Sequence, residues 1–206
     1  MTHSNKDESL RYPIGRFEFH ADYGIDNLRK DIKTISKFPK ALKTLLKKIK
    51  PGDLKCAYRK GGWTVRQIIH HLADSHMNAY IRMKMALTEP NPVIKTYEEH
   101  LWADTEDGSS APVKLSLKLL SALHERWSYF LKLLTEDDLD RCYFHPEYRR
   151  SVPLSEAIAL YAWHCRHHLA HINLAIVGQM TSKDFASLPD DPAQAAAKPP
   201  VSDDKG

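Results

Sequence analysis

The sequence predicts an all-α protein, a four-helix bundle with long inter-helix connections. Four long segments place apolar residues at three- and four-residue steps, almost nothing alternates as a strand would, and 206 residues suit one sizeable core better than two. A content of 42% hydrophobic and 27% charged residues is ordinary for a globular chain.

Residues 1–11 are polar, with no apolar run behind a basic end; they read as a disordered lead-in and argue against a secretory signal. The bundle domain is expected over residues 12–180. It opens with an extended entry, Tyr12-Pro13-Ile14-Gly15 to Phe19. Ile25, Leu28, Ile32, Ile35, Leu42, Leu45, Leu46 and Ile49 then mark a first amphipathic helix, bent or broken near Phe38-Pro39 and stopped by Pro51-Gly52. A second helix runs from Trp63 to about Leu87, with Thr64 as its cap and Pro90 and Pro92 closing it. The polar connection from Val93 to Pro112 is long enough to carry function or to cover a site. Within it Tyr97, Leu101 and Trp102 are the packing candidates, and Asp104 to Ser110 is expected to stay out of the core. Lys114 to Leu134 forms the third helix, on Leu115, Leu119, Leu120, Leu123, Trp127, Phe130, Leu131 and Leu134. Thr135 to Val152 is expected as a linker. Pro153 opens the fourth helix, which runs to about Val177 with Gly178 as its stop. Residues 181–206, rich in proline, alanine and aspartate, read as a disordered tail. The length of the second connection allows a crossover in place of a simple up-down order.

The totals exclude several function classes. No window approaches the eighteen apolar residues of a membrane span. Cys56, Cys142 and Cys165 lie far apart in no CxxC pattern, so a disulfide framework and a thiolate zinc site are not expected, and the default location is cytoplasmic. The net charge of +4 is uneven: Leu28 to Lys60 holds twelve Lys/Arg against Asp31 and Asp53. A solvated lysine face accounts for that run, and the sparse aromatics beside it give no platform for nucleic-acid bases.

The chemistry lies in Trp163-His164-Cys165-Arg166-His167-His168-Leu169-Ala170-His171, four histidines in nine residues, and in Ile69-His70-His71-Leu72-Ala73-Asp74-Ser75-His76. On a helical wheel His164 and His168 fall within about 60–80° of the centre of the last helix's apolar stripe. They form an i,i+4 pair able to share one ion. His167/His171 has the same spacing and is the alternative pair. On the second helix the stripe favours His76 over His71, with His70 opposite, so periodicity leaves the third ligand open.

The run Gly61-Gly62-Trp63-Thr64-Val65-Arg66-Gln67-Ile68-Ile69-His70-His71-Leu72-Ala73-Asp74-Ser75-His76, with Tyr12-Pro13-Ile14-Gly15 and Ala162-Trp163-His164-Cys165-Arg166-His167-His168-Leu169-Ala170-His171, resembles the YfiT-like branch of the DinB superfamily across roughly residues 11–178. The resemblance implies a four-helix bundle with three histidines on one metal ion, at His71, His164 and His168, and a homodimer. It leaves His167 without a ligand role, facing solvent or a partner. Three neutral imidazoles on zinc, or on nickel, keep the ion's charge and an open position. Such an ion can lower the pKa of bound water to about 7 or hold a thiolate. The expected activity is a mononuclear metal-dependent hydrolase acting on a small molecule, with one metal per chain. The alternatives are a thiol S-transferase using a low-molecular-weight thiol such as bacillithiol, and a non-catalytic binding module stabilised by its metal. Asp74, Glu125 and Glu147 are candidate supporting carboxylates, and Cys165 reads as a small buried hydrophobe.

Overall fold

The computed structural model describes residues 3–18 and 23–177, with side chains for residues 7–18 and 23–176. The expected tail, 181–206, lies outside the described residues. Four long helices form the body: α2 (Ile25–Leu46), α3 (Val65–Thr88), α6 (Lys114–Lys132) and α8 (Leu154–Val177), with the short α1 (His3–Arg11), α4 (Glu99–Asp104), α5 (Glu106–Ser110) and α7 (Glu136–Leu139) around it. α2 packs against α6 and α8, and α3 packs against the same two, so the two long helices that come first in the chain stand on a diagonal of the bundle. The diagonal steps are taken by the first connection, from α2 to α3, and the third, from α6 to α8, whereas the long second connection, expected to allow the crossover, joins the neighbours α3 and α6.

Most of the apolar spacing read from the sequence is buried, while Ile25 of α2 and Leu115 and Leu119 of α6, counted in the same stripes, are exposed. Leu28, Ile35, Phe38 and Leu42 of α2 meet Ile68, Ile69, Leu72 and Met83 of α3, with Leu120, Trp127 and Leu131 of α6 and Leu154, Ile158 and Ala162 of α8, in one core. Lysines 30, 33, 37, 40, 43 and 47 line the outer face of α2, the solvated face expected of that basic run. Thr64 starts α3 with a reciprocal cap: its Oγ1 accepts from Gln67 N at 3.2 Å, and Gln67 Oε1 accepts from Thr64 N at 3.0 Å.

Four sequence expectations are corrected. Residues 3–11, expected as a disordered lead-in, are helical; Asp7 and Arg11 pair one turn apart, and Glu8 holds Arg16, which ties α1 to the entry segment. α2 is not broken at Pro39, one of the two outcomes expected there; the helix continues through it, with Phe38 and Leu42 on either side buried in the core. The linker from Thr135 contains α7 and an antiparallel hairpin, β1 (Cys142–His145) with β2 (Arg150–Pro153), which pairs Tyr143 with Val152. Ile94 N donates to Phe144 O at 3.1 Å and pins the hairpin to the chain leaving α3. Four-residue strands leave too short an alternation to register in the sequence.

The fourth correction concerns Leu101 and Trp102, expected to pack and found exposed; Asp104 to Ser110 stays out of the core as expected, with Gly108 its one buried residue. Thr105 caps α5, and Gly108 is buried so closely against α4 that a Cβ there would lie 2.6 Å from Trp102 O and 3.0 Å from Ala103 O. Both neighbours are backbone and cannot swing aside. Gly108→Ala is therefore expected to cost about 1–3 kcal/mol of stability, the usual toll of overpacking, read as a lower urea midpoint with an unchanged slope. Leu101 and Trp102 stay substantially exposed, and Tyr97 packs on the Trp102 ring with centroids 4.5 Å apart.

Candidate metal centre

α3 and α8 lie side by side, and each carries histidine on the face it turns inward. Residues four apart on a helix are neighbours on one face, so His164 and His168 of α8 project together, and His71 of α3 meets them across the gap. These three offer ring nitrogens that all lie within 4.8 Å of one another. His164 Nε2 stands 3.3 Å from His71 Nε2 and 3.1 Å from His168 Nε2. The Trp63 ring walls the group, with its centroid 4.5 Å from that of His71. Tyr161 stands 5.5 Å from His164 on the other side.

Burial disfavours the charged ring in all three. It takes His71 down to about 3 and holds His164 and His168 well below their ordinary value. At neutral pH the group is three uncharged imidazoles. Three such nitrogens suit a divalent ion: in a tetrahedron with N–metal bonds of 2.0–2.1 Å the edges are about 3.3–3.4 Å, close to the spacings found. The open side of so small a donor set leaves room for a nucleophile or a substrate oxygen, the arrangement of a catalytic site.

The other candidate residues divide clearly. His76 points inward, as its place on the apolar stripe predicted, but approaches the opposite nitrogen of the same ring, with Nε2 3.0 Å from His164 Nδ1. His76 Nδ1 is 2.8 Å from His124 Nε2, and His124 Nδ1 is 2.7 Å from Ile35 O. His171 Nδ1 lies 3.3 Å from His168 Nδ1, and its Nε2 is 3.0 Å from Arg11 O, so His171 backs the centre from behind. His167, expected to face solvent or a partner, is buried; it stacks on Trp163 with centroids 4.2 Å apart. Neither member of the pair His167/His171 belongs to the group of three donors. His70 turns away and fastens the connection before α6, with contacts to Ser116 Oγ at 2.7 Å and Ala111 O at 3.0 Å.

His124 was not singled out from the sequence, although it shares the three- and four-residue spacing of Leu120, Trp127 and Leu131, where a buried polar residue was a readable signal. Glu125 and Glu147 are exposed and take no part. Asp74 is half-buried and lines a cavity of about 210 Å³ with Trp102, Thr105 and Asp107; burial, then the Asp107 charge, raises its carboxyl to about 6. Cys165 is fully buried, and burial pushes its thiol up, as befits a small core residue.

Fold and site together define a mostly helical four-helix bundle, with one small hairpin, and a tri-histidine cluster between two of its helices. The chain belongs to the DinB superfamily, whose family model matches residues 34–172. A protein of Oceanobacillus iheyensis is 48% identical over 162 residues, covering 79% of this chain and 93% of its own length. YfiT of Bacillus subtilis is 42% identical over 164 residues, covering 80% of this chain and 92% of its own. Both are provisionally named metal-dependent hydrolases. The solved structure of YfiT from Bacillus subtilis, described as a probable metal-dependent hydrolase with an unusual four-helix bundle topology, aligns with a TM-score of 0.78 at 41% identity over 80% of this chain and 94% of that one.

Proposed function

We propose that this protein is a mononuclear metal-dependent hydrolase in which His71, His164 and His168 hold one zinc ion, with nickel as the alternative, and act on a small-molecule substrate. The observation that carries the reading is the approach of three neutral ring nitrogens to one point between α3 and α8. The names of the relatives support it. When bound, the ion supplies Lewis-acid activation of the nucleophile and the substrate. The chain's own residues set the conditions for that chemistry. Uncharged imidazoles leave the double charge undiminished, Trp63 closes water out from the His71 side, and partly exposed His164 marks the side on which a substrate can enter.

The same undiminished charge favours a second reading, a thiol S-transferase, because it would stabilise the thiolate of a low-molecular-weight thiol such as bacillithiol. The proposal includes cytoplasmic location and a homodimer, for which Leu115, Leu119, Tyr129 and Leu133 offer an exposed apolar face on α6. No helix among the described residues is long and apolar enough to cross a membrane.

The test measures metal content and turnover together, on ester and amide substrates and on a thiol with a model electrophile, for the wild type and for His71→Ala. We expect one ion per chain and metal-dependent turnover in one assay. His71→Ala should lose more than the roughly 10–100-fold that removing a ligand's hydrogen-bond partner costs. Turnover confined to the thiol assay would select the transferase. Bound metal with no turnover in either assay would point to a binding module.

A further inference from the structure

His164 and His168 each touch the cluster through Nε2, and each is backed at Nδ1 by another histidine. Both backing chains end on a main-chain carbonyl. That ending determines where every proton in the chain lies.

A carbonyl oxygen can only accept, so His124 Nδ1, 2.7 Å from Ile35 O, carries the hydrogen. A buried neutral imidazole has one N–H, which leaves His124 Nε2 bare and makes His76 Nδ1 the donor to it at 2.8 Å. His76 Nε2 is then bare in turn and accepts from His164 Nδ1 at 3.0 Å. The last nitrogen, His164 Nε2, has no proton. The other chain repeats the logic: His171 Nε2 donates to Arg11 O at 3.0 Å, His171 Nδ1 accepts from His168 Nδ1 at 3.3 Å, and His168 Nε2 is left bare. Two lone pairs therefore face each other 3.1 Å apart, a contact that is unfavourable unless a cation lies between them.

Both terminal carbonyls are free to accept because each has lost its helical donor. The N–H that would close the ring onto Ile35 O belongs to residue 39, which is proline and has none. Arg11 ends α1, and the Gly15 N–H that a longer helix would direct to Arg11 O goes to Tyr12 O at 3.0 Å.

Resting on the metal reading above, we infer that His76, His124 and His171 are positioning residues: two imidazole relays, anchored on the carbonyls of Ile35 and Arg11, fix the Nδ1–H tautomer of His164 and His168 and aim both bare Nε2 atoms at one ion. Glutamine can donate and accept as these histidines do, whereas leucine can do neither. The test is zinc affinity of the full chain by chelator competition, with the tautomers of the metal-free protein read from imidazole ¹⁵N shifts. His76→Leu and His171→Leu should bind zinc about 10–100-fold more weakly, while His76→Gln and His171→Gln stay within a few-fold of wild type. The spectrum of the wild type should show His164 and His168 protonated at Nδ1.

Wild-type affinity in the leucine variants, or an Nε2–H tautomer at either ligand, overturns the relays. If a leucine variant does not fold, the glutamine variants and the wild-type spectrum decide: a glutamine variant as weak as an alanine variant at a ligand also overturns them. Failure of the metal reading looks different, since His71→Ala and His164→Ala would then bind zinc as the wild type does.

Discussion

Stripping the metal with a strong chelator is expected to lower the thermal unfolding midpoint by about 5–10 °C, with zinc restoring it. A ligand that binds only the folded chain adds about 2.7 kcal/mol at a hundredfold excess over its dissociation constant. In a chain of this size each kcal/mol moves the midpoint by about 2–4 °C. The effect should be large for a structural reason: the three nitrogens come from α3 and α8, so an ion joins two helices and also relieves the facing lone pairs of His164 and His168. His164→Ala removes the ring that touches both of the others, and its midpoint should no longer respond to zinc. Scanning calorimetry with and without chelator checks this. A wild-type midpoint that ignores both chelator and zinc would remove the case for a tightly held ion.

Mild acid should destabilise the metal-free protein steeply. Histidines 71, 76, 124, 145, 167, 168 and 171 are buried and His164 is partly so, and in each of the eight desolvation is the leading cause that lowers the pKa below its ordinary 6.5, to about 3 for His71 and His167 and about 4 for His124, His145 and His171. The unfolded chain protonates these rings as pH falls through 6.5, while the folded chain resists until well below it, to about 3–4 at His71, His124, His145, His167 and His171. Between those limits the unfolded state binds more protons, so stability is complete above 6.5 and is lost as pH falls. Each ring gives up about 1.4 kcal/mol per pH unit in that window. Eight rings acting over a single unit approach the whole stability of an ordinary domain, roughly 5–15 kcal/mol. Asp74, raised to about 6, works in the opposite sense, but it is one half-buried group. Urea midpoints from pH 8 to pH 5 provide the measurement, and a flat profile between 7 and 5 would mean that these rings are not held neutral.

The four long helices were legible because each repeats its apolar residues often enough for a 3.6-residue period to register. α1 and the hairpin were not. α1 is short and polar, held by ion pairs and by one main-chain contact to His171, and the strands offer four residues each. At the site, periodicity favoured His164 and His168 on α8, the two whose ring nitrogens gather with that of His71, although His167 and His171 are buried as well. On α3 it favoured His76 over His71, and the geometry shows why direction alone could not separate them. Both rings reach His164, one at each of its nitrogens. A wheel projection shows which side chains turn inward and says nothing of which atom of a partner they meet. The spacing that marks His124 on α6 was present in the sequence, but its significance depends on a carbonyl of another helix.

Pro39 carries a consequence for mutagenesis. Inside a helix a proline usually counts as a defect, a missing donor and a bend. Here the missing donor exposes an acceptor at Ile35 within a hydrophobic core. A contact made by the main chain is invisible to side-chain scanning: alanine at position 35 removes a methyl-rich packing group and leaves the oxygen where it was. The same holds at Arg11, so a scan of α1 would leave the contact intact, whereas truncating the chain ahead of Tyr12 would remove the oxygen that His171 needs.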